Sequence, residues 1–149
     1  EIGKGINRTM NILGTAQKMV SAIKQGGTIF VCGNGGSSAE TNHMVSEFVT
    51  HGIPAISLNQ VDTITALAND YSYSEVFSRQ IRVLGKEGDI LIGLSTSGKS
   101  KNIIRAYKQA KKQGLVVIDW PRKGKDAAEI QEFQLKLMHK VYKEVVKGL

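Results

Sequence analysis

The period of the apolar positions changes repeatedly along the chain, and each change predicts a new element. Ile6, Met10, Leu13, Ala16, Met19, Val20 and Ile23 recur at helical spacing until Gly26-Gly27 closes the run. A helix over about residues 3–25 is therefore expected, packed on a sheet or on a partner chain. Residues 28–32 (TIFVC) are mostly β-branched or apolar and predict a strand. A glycine turn follows at residues 33–36. The next helix is expected to open at Ser37, because Glu40 completes a capping-box spacing. Residues 54–58 read as a short strand and residues 62–68 as a helix, broken by Asn69, Asp70 and Tyr71. Residues 73–84 predict a helix with Val76, Phe77, Ile81 and Leu84 on its apolar face, then a turn at 85–88. Residues 89–94 are a buried strand that runs into a polar loop at 95–100. A helix carrying Ile103, Ile104, Tyr107 and Ala110 stops at Gly114. Residues 115–118 are the last strand, 121–125 a basic loop, and 127–146 a long terminal helix.

Strands that alternate with helices imply an α/β fold with a parallel sheet covered on both faces. The 149 residues suit one domain, 1–149, with an ordinary 41% hydrophobic and 22% charged content. The net charge of +7 fits nucleic acid or anionic metabolites equally. Lys108, Lys111 and Lys112 fall on a helix face and read as solvated surface, so no nucleic-acid partner is expected. No apolar run approaches membrane-spanning length, so no membrane partner is expected either. One cysteine, Cys32, excludes an intrachain disulfide and points to a reducing compartment. Its place at a strand end suits a small buried hydrophobe.

Two loops before helices carry the candidate chemistry. The turn at 33–36 lets a ligand approach the backbone, and the helix behind it offers unpaired N–H groups to an anion. It is not the dinucleotide fingerprint, because Ser38 stands where a third glycine is needed. Residues 93–100 (GLSTSGKS) match the nucleotide-triphosphate P-loop, and residues 115–119 (LVVID) resemble its magnesium-holding strand. Against that reading, the match lies late, it leaves the earlier loop unexplained, and Gly93 belongs inside a strand. The hydroxyls of Ser95, Thr96, Ser97 and Ser100 suit a monophosphate instead. His43 and Glu47, four residues apart, share a helix face. With Gln131 and His139 they could bind Zn²⁺, and a carboxylate with an imidazole can move protons. Gln131 and His139 are eight residues apart, ~12 Å along a helix, so convergence on one ion demands long side chains or a neighbouring subunit. His51 and Trp120 have no assigned role.

The segments CGNGGSSAETNHMVSEF, TALANDYSYSEVFSRQI, GDILIGLSTSGKSKNIIRA and IQEFQLKLMHKVY together resemble sugar isomerase (SIS) domains, more narrowly those of bacterial phosphoheptose isomerases. The resemblance implies a three-layer α/β/α sandwich with a central parallel sheet, flavodoxin-like. It implies a cytoplasmic homotetramer with sites at subunit interfaces, interconverting sedoheptulose 7-phosphate and an aldoheptose 7-phosphate for lipopolysaccharide or surface sugars. By position, Asn34, Gly35, Gly36 and Ser37 match the first substrate loop, Asn69 and Asp70 a further substrate contact, and Ser95, Thr96, Ser97 and Ser100 the phosphate loop. His43, Glu47, Gln131 and His139 match the zinc positions. Glu47 and His139 also match the acid/base pair, and Gln131 a substrate contact. The chain departs from the pattern in a shorter loop around His51 and in lacking a strand between Ile118 and Trp120. A non-catalytic relative that binds the replication initiator lacks the full metal and acid/base set, which is filled here.

Overall fold

The computed structural model describes residues 10–149. The element order is α1 (Ile12–Lys24), β1 (Ile29–Gly33), α2 (Gly36–Thr50), β2 (Ala55–Ser57), α3 (Val61–Asp70), α4 (Val76–Leu84), β3 (Ile90–Leu94), α5 (Lys101–Gln113), β4 (Val116–Asp119) and α6 (Ala127–Gly148). All four strands are parallel, in the order β2-β1-β3-β4. Successive side chains of a strand point to opposite faces. Ile29, Val31, Ile90, Ile92 and Leu94 accordingly enter one core with residues of α1, α2 and α6, such as Met19, Phe48 and Met138. Phe30, Cys32 and Leu91 enter the other with residues of α4 and α5, such as Phe77, Ile81 and Ile103. The result is the three-layer α/β/α sandwich with helices on both faces.

Several boundaries differ from the sequence expectation, each for a local reason. Met10 precedes α1 and packs on the core, and Asn11 starts the helix by accepting the Gly14 N–H at 3.0 Å. Ile6 lies outside the described residues. Helix α2 begins at Gly36, not Ser37: Gly35, at φ 57°, is its N-cap, and no side chain caps it. Ser37 is buried against the last residue of β1, where a β-carbon on Gly33 would come within 2.6 Å of the Ser37 carbonyl oxygen. The Ser37–Glu40 capping box therefore does not form. Asn69 and Asp70 end α3 rather than break it; the helix stops at Tyr71, whose ring stacks under the Arg79 guanidinium at 3.3 Å. Residues Tyr73–Glu75 form a 3₁₀ turn before α4, and Leu84 is exposed rather than on the buried face. Helix α6 runs two residues past the expected end. Its start carries a capping arrangement: Asp126 accepts the Glu129 N–H at 2.9 Å, and Glu129 reaches back to the Lys125 N–H at 2.8 Å.

Gly93 sits inside β3, paired with Cys32 and Asp119, and a β-carbon there would overlap the Tyr107 hydroxyl. This placement removes the first turn that a P-loop requires. Cys32 is fully buried, and burial pushes its thiol pKa up, as befits a core residue. Trp120, without a role in the sequence, is fully buried; its Nε1–H donates to the Gln134 carbonyl at 3.1 Å.

Candidate active site

The strand order places a topological switch point beside β1. From β1 the chain steps to β2 on one side, then returns to β3 on the other, so the loops after β1 and β3 diverge at a topological switch point. These are the two loops the sequence singles out. They are tied together by a reciprocal pair: the Asn34 and Asn102 side-chain amides exchange hydrogen bonds of 2.9 Å each. The Tyr73 hydroxyl donates to the same Asn34 oxygen at 2.8 Å. Asn59, a residue that sequence reasoning missed, accepts the Gly33 N–H at 3.1 Å and donates to the Gly33 carbonyl at 2.7 Å. The Asn34 side chain is thus engaged inside the protein, and the backbone at Gly35 and Gly36 is what faces outward.

In the serine loop, Ser95 Oγ accepts the Gly98 N–H at 2.9 Å and Ser97 Oγ accepts the Lys99 N–H at 3.0 Å. Ser100 is the N-cap of α5 but makes no side-chain cap bond. Neither N-cap side chain caps its helix, and the Ser37, Ser38 and Ile103 N–H groups are taken up by Asn34, Gly35 and Asn102 oxygens at 2.9–3.0 Å, so the first-turn N–H groups left for an anion are those of Gly36, Lys101 and Asn102. Gln134, fully buried on α6, reaches the loop from behind: its amide donates to the carbonyls of Ser95 at 3.4 Å and Trp120 at 3.5 Å.

Further along α2 a titratable group converges. His43 Nε2 and His139 Nε2 lie 3.4 Å apart, and Glu47 Oε1 is 3.8 Å from His43 Nε2. Donor atoms of these three residues all lie within 4.8 Å of one another. Zn²⁺ with ligands at about 2.0–2.2 Å spaces tetrahedral ligand atoms ~3.3–3.6 Å apart. The His43–His139 pair meets that spacing and Glu47 lies slightly outside it; two imidazoles and a carboxylate are donors that such a cation takes, and three ligands leave a position open. His51 extends the stripe by another four residues: its Nδ1–H donates to the Glu47 carbonyl at 2.7 Å and lies 3.6 Å from Glu47 Oε2. Its ring lies against Tyr142 of α6, centroids 4.7 Å apart. The i, i+4, i+8 spacing of 43, 47 and 51 was the available signal for it.

Gln131 stands toward the glycine turn: a β-carbon on Gly36 would overlap its amide. Asn69 and Asp70 are exposed at the end of α3, three residues before Tyr73, and bond to each other at 3.1 Å. Glu40 lies on α2 between the turn and the cluster. Its Oε2 is buried without a hydrogen-bond partner among the described residues, and burial raises its pKa to about 7 from 4.5. The folded state thus holds this proton more tightly than the unfolded chain. Stability should fall as pH rises from about 4.5 to about 7, then stay level. Glu40→Gln should remove that loss, so its melting temperature relative to wild type should rise between about pH 5 and about pH 8. An unchanged difference across that range would show that the carboxyl titrates normally.

A family model described as SIS domain matches residues 5–119. The chain belongs to the SIS domain family. This SIS domain is 45% identical over 115 residues to the phosphoheptose isomerase of Thermodesulfovibrio yellowstonii, covering 72% of this chain and 57% of the relative. It is 41% identical over 132 residues to that of Burkholderia pseudomallei strain K96243, covering 81% and 66%. It thus spans less than two thirds of the length of either relative. Its fold matches the solved phosphoheptose isomerase of Neisseria gonorrhoeae with a TM-score of 0.87 at 31% identity, covering 93% of this chain and 85% of that one. The structure from Francisella tularensis gives the same TM-score, 0.87, also at 31% identity, covering 91% and 85%.

Proposed function

We propose that this chain is an aldose–ketose isomerase that converts sedoheptulose 7-phosphate to D-glycero-D-manno-heptose 7-phosphate, for heptose and surface-sugar biosynthesis. The observation that carries the reading is the convergence of His43, Glu47 and His139 in a chain similar to phosphoheptose isomerases. His43 follows Gly36 by seven residues, ~10 Å of helical rise, which suits a substrate with its phosphate at one end and its reacting carbon at the other. In this reading Ser95, Thr96, Ser97 and Ser100 hold the phosphate, and Asn69, Asp70 and Gln131 contact the sugar. That remote contact positions the chemistry.

Glu47 takes a proton from C1 of the open-chain ketose, giving an enediolate. His139 delivers a proton to C2, the C1 hydroxyl proton passes to O2, and the aldose results. Glu47 Oε1 faces His43, whereas Oε2 faces His51 and remains available to the proton. A Zn²⁺ held by His43, Glu47 and His139, with Gln131 as the further candidate ligand, would supply Lewis-acid polarisation of the substrate's oxygens. A homotetramer with sites at subunit interfaces belongs to the same proposal; the His43 side chain is 48% exposed in the single chain, open to cover by a second copy. A cytoplasmic location fits the single buried cysteine, and no helix among the described residues is long and apolar enough to cross a membrane.

The test is incubation with sedoheptulose 7-phosphate, following the aldose by NMR. Product should form, stop after chelation and return with added zinc. A folded, zinc-supplied sample that yields no product would overturn the reading in favour of a non-catalytic sugar-phosphate module.

A further inference from the structure

The register of the sheet brings a cation onto the serine loop. Asp119, the last residue of β4, pairs with Gly93 near the end of β3, and β3 leads directly into the loop. The chain beyond Asp119 must therefore pass beside it. Three residues on, Arg122 turns back: its Nη1 and Nη2 donate to the two Asp119 oxygens at 2.9 and 2.7 Å. Asp119 is itself held by the Tyr107 hydroxyl at 3.0 Å. A β-carbon on Gly98 would lie 2.9 Å from Arg122 Cζ and 3.1 Å from both Nε and Nη2. The three distances are nearly equal, so the guanidinium lies flat on Gly98 and its N–H groups point along the loop rather than into the glycine. Gly98 has φ +68°, a conformation that favours glycine, and the missing side chain leaves the space that the guanidinium fills.

Arginine has five N–H donors, and the Asp119 pair engages two of them. Three remain on a group whose position is set from both sides, against a loop of four hydroxyl side chains. We propose that Arg122 is a substrate-binding residue: its guanidinium closes the serine loop over the phosphate of a phosphomonoester and selects that dianion over an unphosphorylated sugar. This inference rests on the proposed function for the identity of the sugar, but not for the anion. The loop serines alone could hold an anion by neutral donors. A pre-positioned guanidinium adds charge-assisted bonds, and holding it by Asp119 lowers the entropy lost on binding.

The experiment is a titration of the full chain with inorganic phosphate, sedoheptulose 7-phosphate and sedoheptulose. Arg122→Gln should weaken both phosphate-bearing ligands by about tenfold to a hundredfold, the value of a hydrogen bond to a charged group. Binding of the unphosphorylated sugar should not change. In the turnover assay KM should rise with kcat unaltered, the mark of lost uniform binding. Phosphate affinity within about twofold of wild type would overturn the inference. If Arg122→Gln does not fold, Arg122→Lys decides: it keeps the charge but loses the fork, so a weakened dianion supports the assignment and wild-type affinity overturns it. The two readings fail separately. Phosphate binding that depends on Arg122 in a chain without turnover would sink only the isomerase. Turnover with an unchanged KM in Arg122→Gln would sink only the role of Arg122.

Discussion

Glu47→Gln should lower isomerase turnover by a factor of about 10²–10⁴, the range for removing a positioned proton-transfer group. Glutamine keeps the size of the side chain and one oxygen acceptor but cannot take a proton. The half-buried Glu47 carboxylate has a histidine on each side, with His43 3.8 Å from one oxygen and His51 3.6 Å from the other. Both contacts are to groups that an amide can still meet, so the fold and the helix should persist. Sugar-phosphate affinity should stay within a few-fold, because the phosphate contacts lie on a different loop. The measurement is kcat beside an independent binding titration. Loss of binding in step with turnover would show that Glu47 anchors the substrate or the metal rather than moving the proton. Near-normal turnover would remove it from the chemistry altogether.

Trp120→Ala should cost about 3–5 kcal/mol of unfolding free energy, the usual cost of truncating a buried tryptophan to alanine. Trp120 is fully buried within the core shared by the sheet and α6. Its backbone N–H extends the β3–β4 pairing by donating to the Gly93 carbonyl at 3.0 Å. Its indole is bonded to α6 through the Gln134 carbonyl, and the Gln134 amide returns to Trp120 and to Ser95. The cavity would thus open directly behind the serine loop. Urea denaturation at constant slope reads the stability loss. A loss below about 1 kcal/mol would mean that the site collapses around the smaller side chain, contrary to the close packing of buried aromatics.

Element type was readable wherever local chemistry and tertiary packing agree. The apolar runs at 29–33 and 90–94 are strands buried on both faces, and Gly114 stops α5 in the left-handed conformation that glycine adopts freely. Element ends were readable only where the cap is local. Asp126 and Glu129 signal the start of α6 in the sequence itself, whereas the start of α2 depends on Ser37 packing beneath Gly33, a tertiary contact. The end of α3 likewise carries no local glycine or proline; its C-cap Tyr71 lies against Arg79 of α4, a tertiary contact.

The candidate site divides in the same way. His43 and Glu47 are neighbours by helical spacing, but His139 joins them across 96 positions of sequence, which no local pattern encodes. Here the resemblance to a family supplied what spacing could not. Arg122 carried no signal beyond a basic loop. Its position follows from the register that sets Asp119 against Gly93, and register is a property of the folded sheet.

The Asn34–Asn102 exchange has a consequence for how such chains diversify. Each amide offers the other both a donor and an acceptor, so replacing one alone strands polar atoms of its partner in a part-buried seam. Drift at either position should be tolerated only with a matching change at the other. Positions 34 and 102 should therefore co-vary across descendants of this sequence, although 68 residues separate them, and a library randomised at both should return paired solutions rather than independent ones.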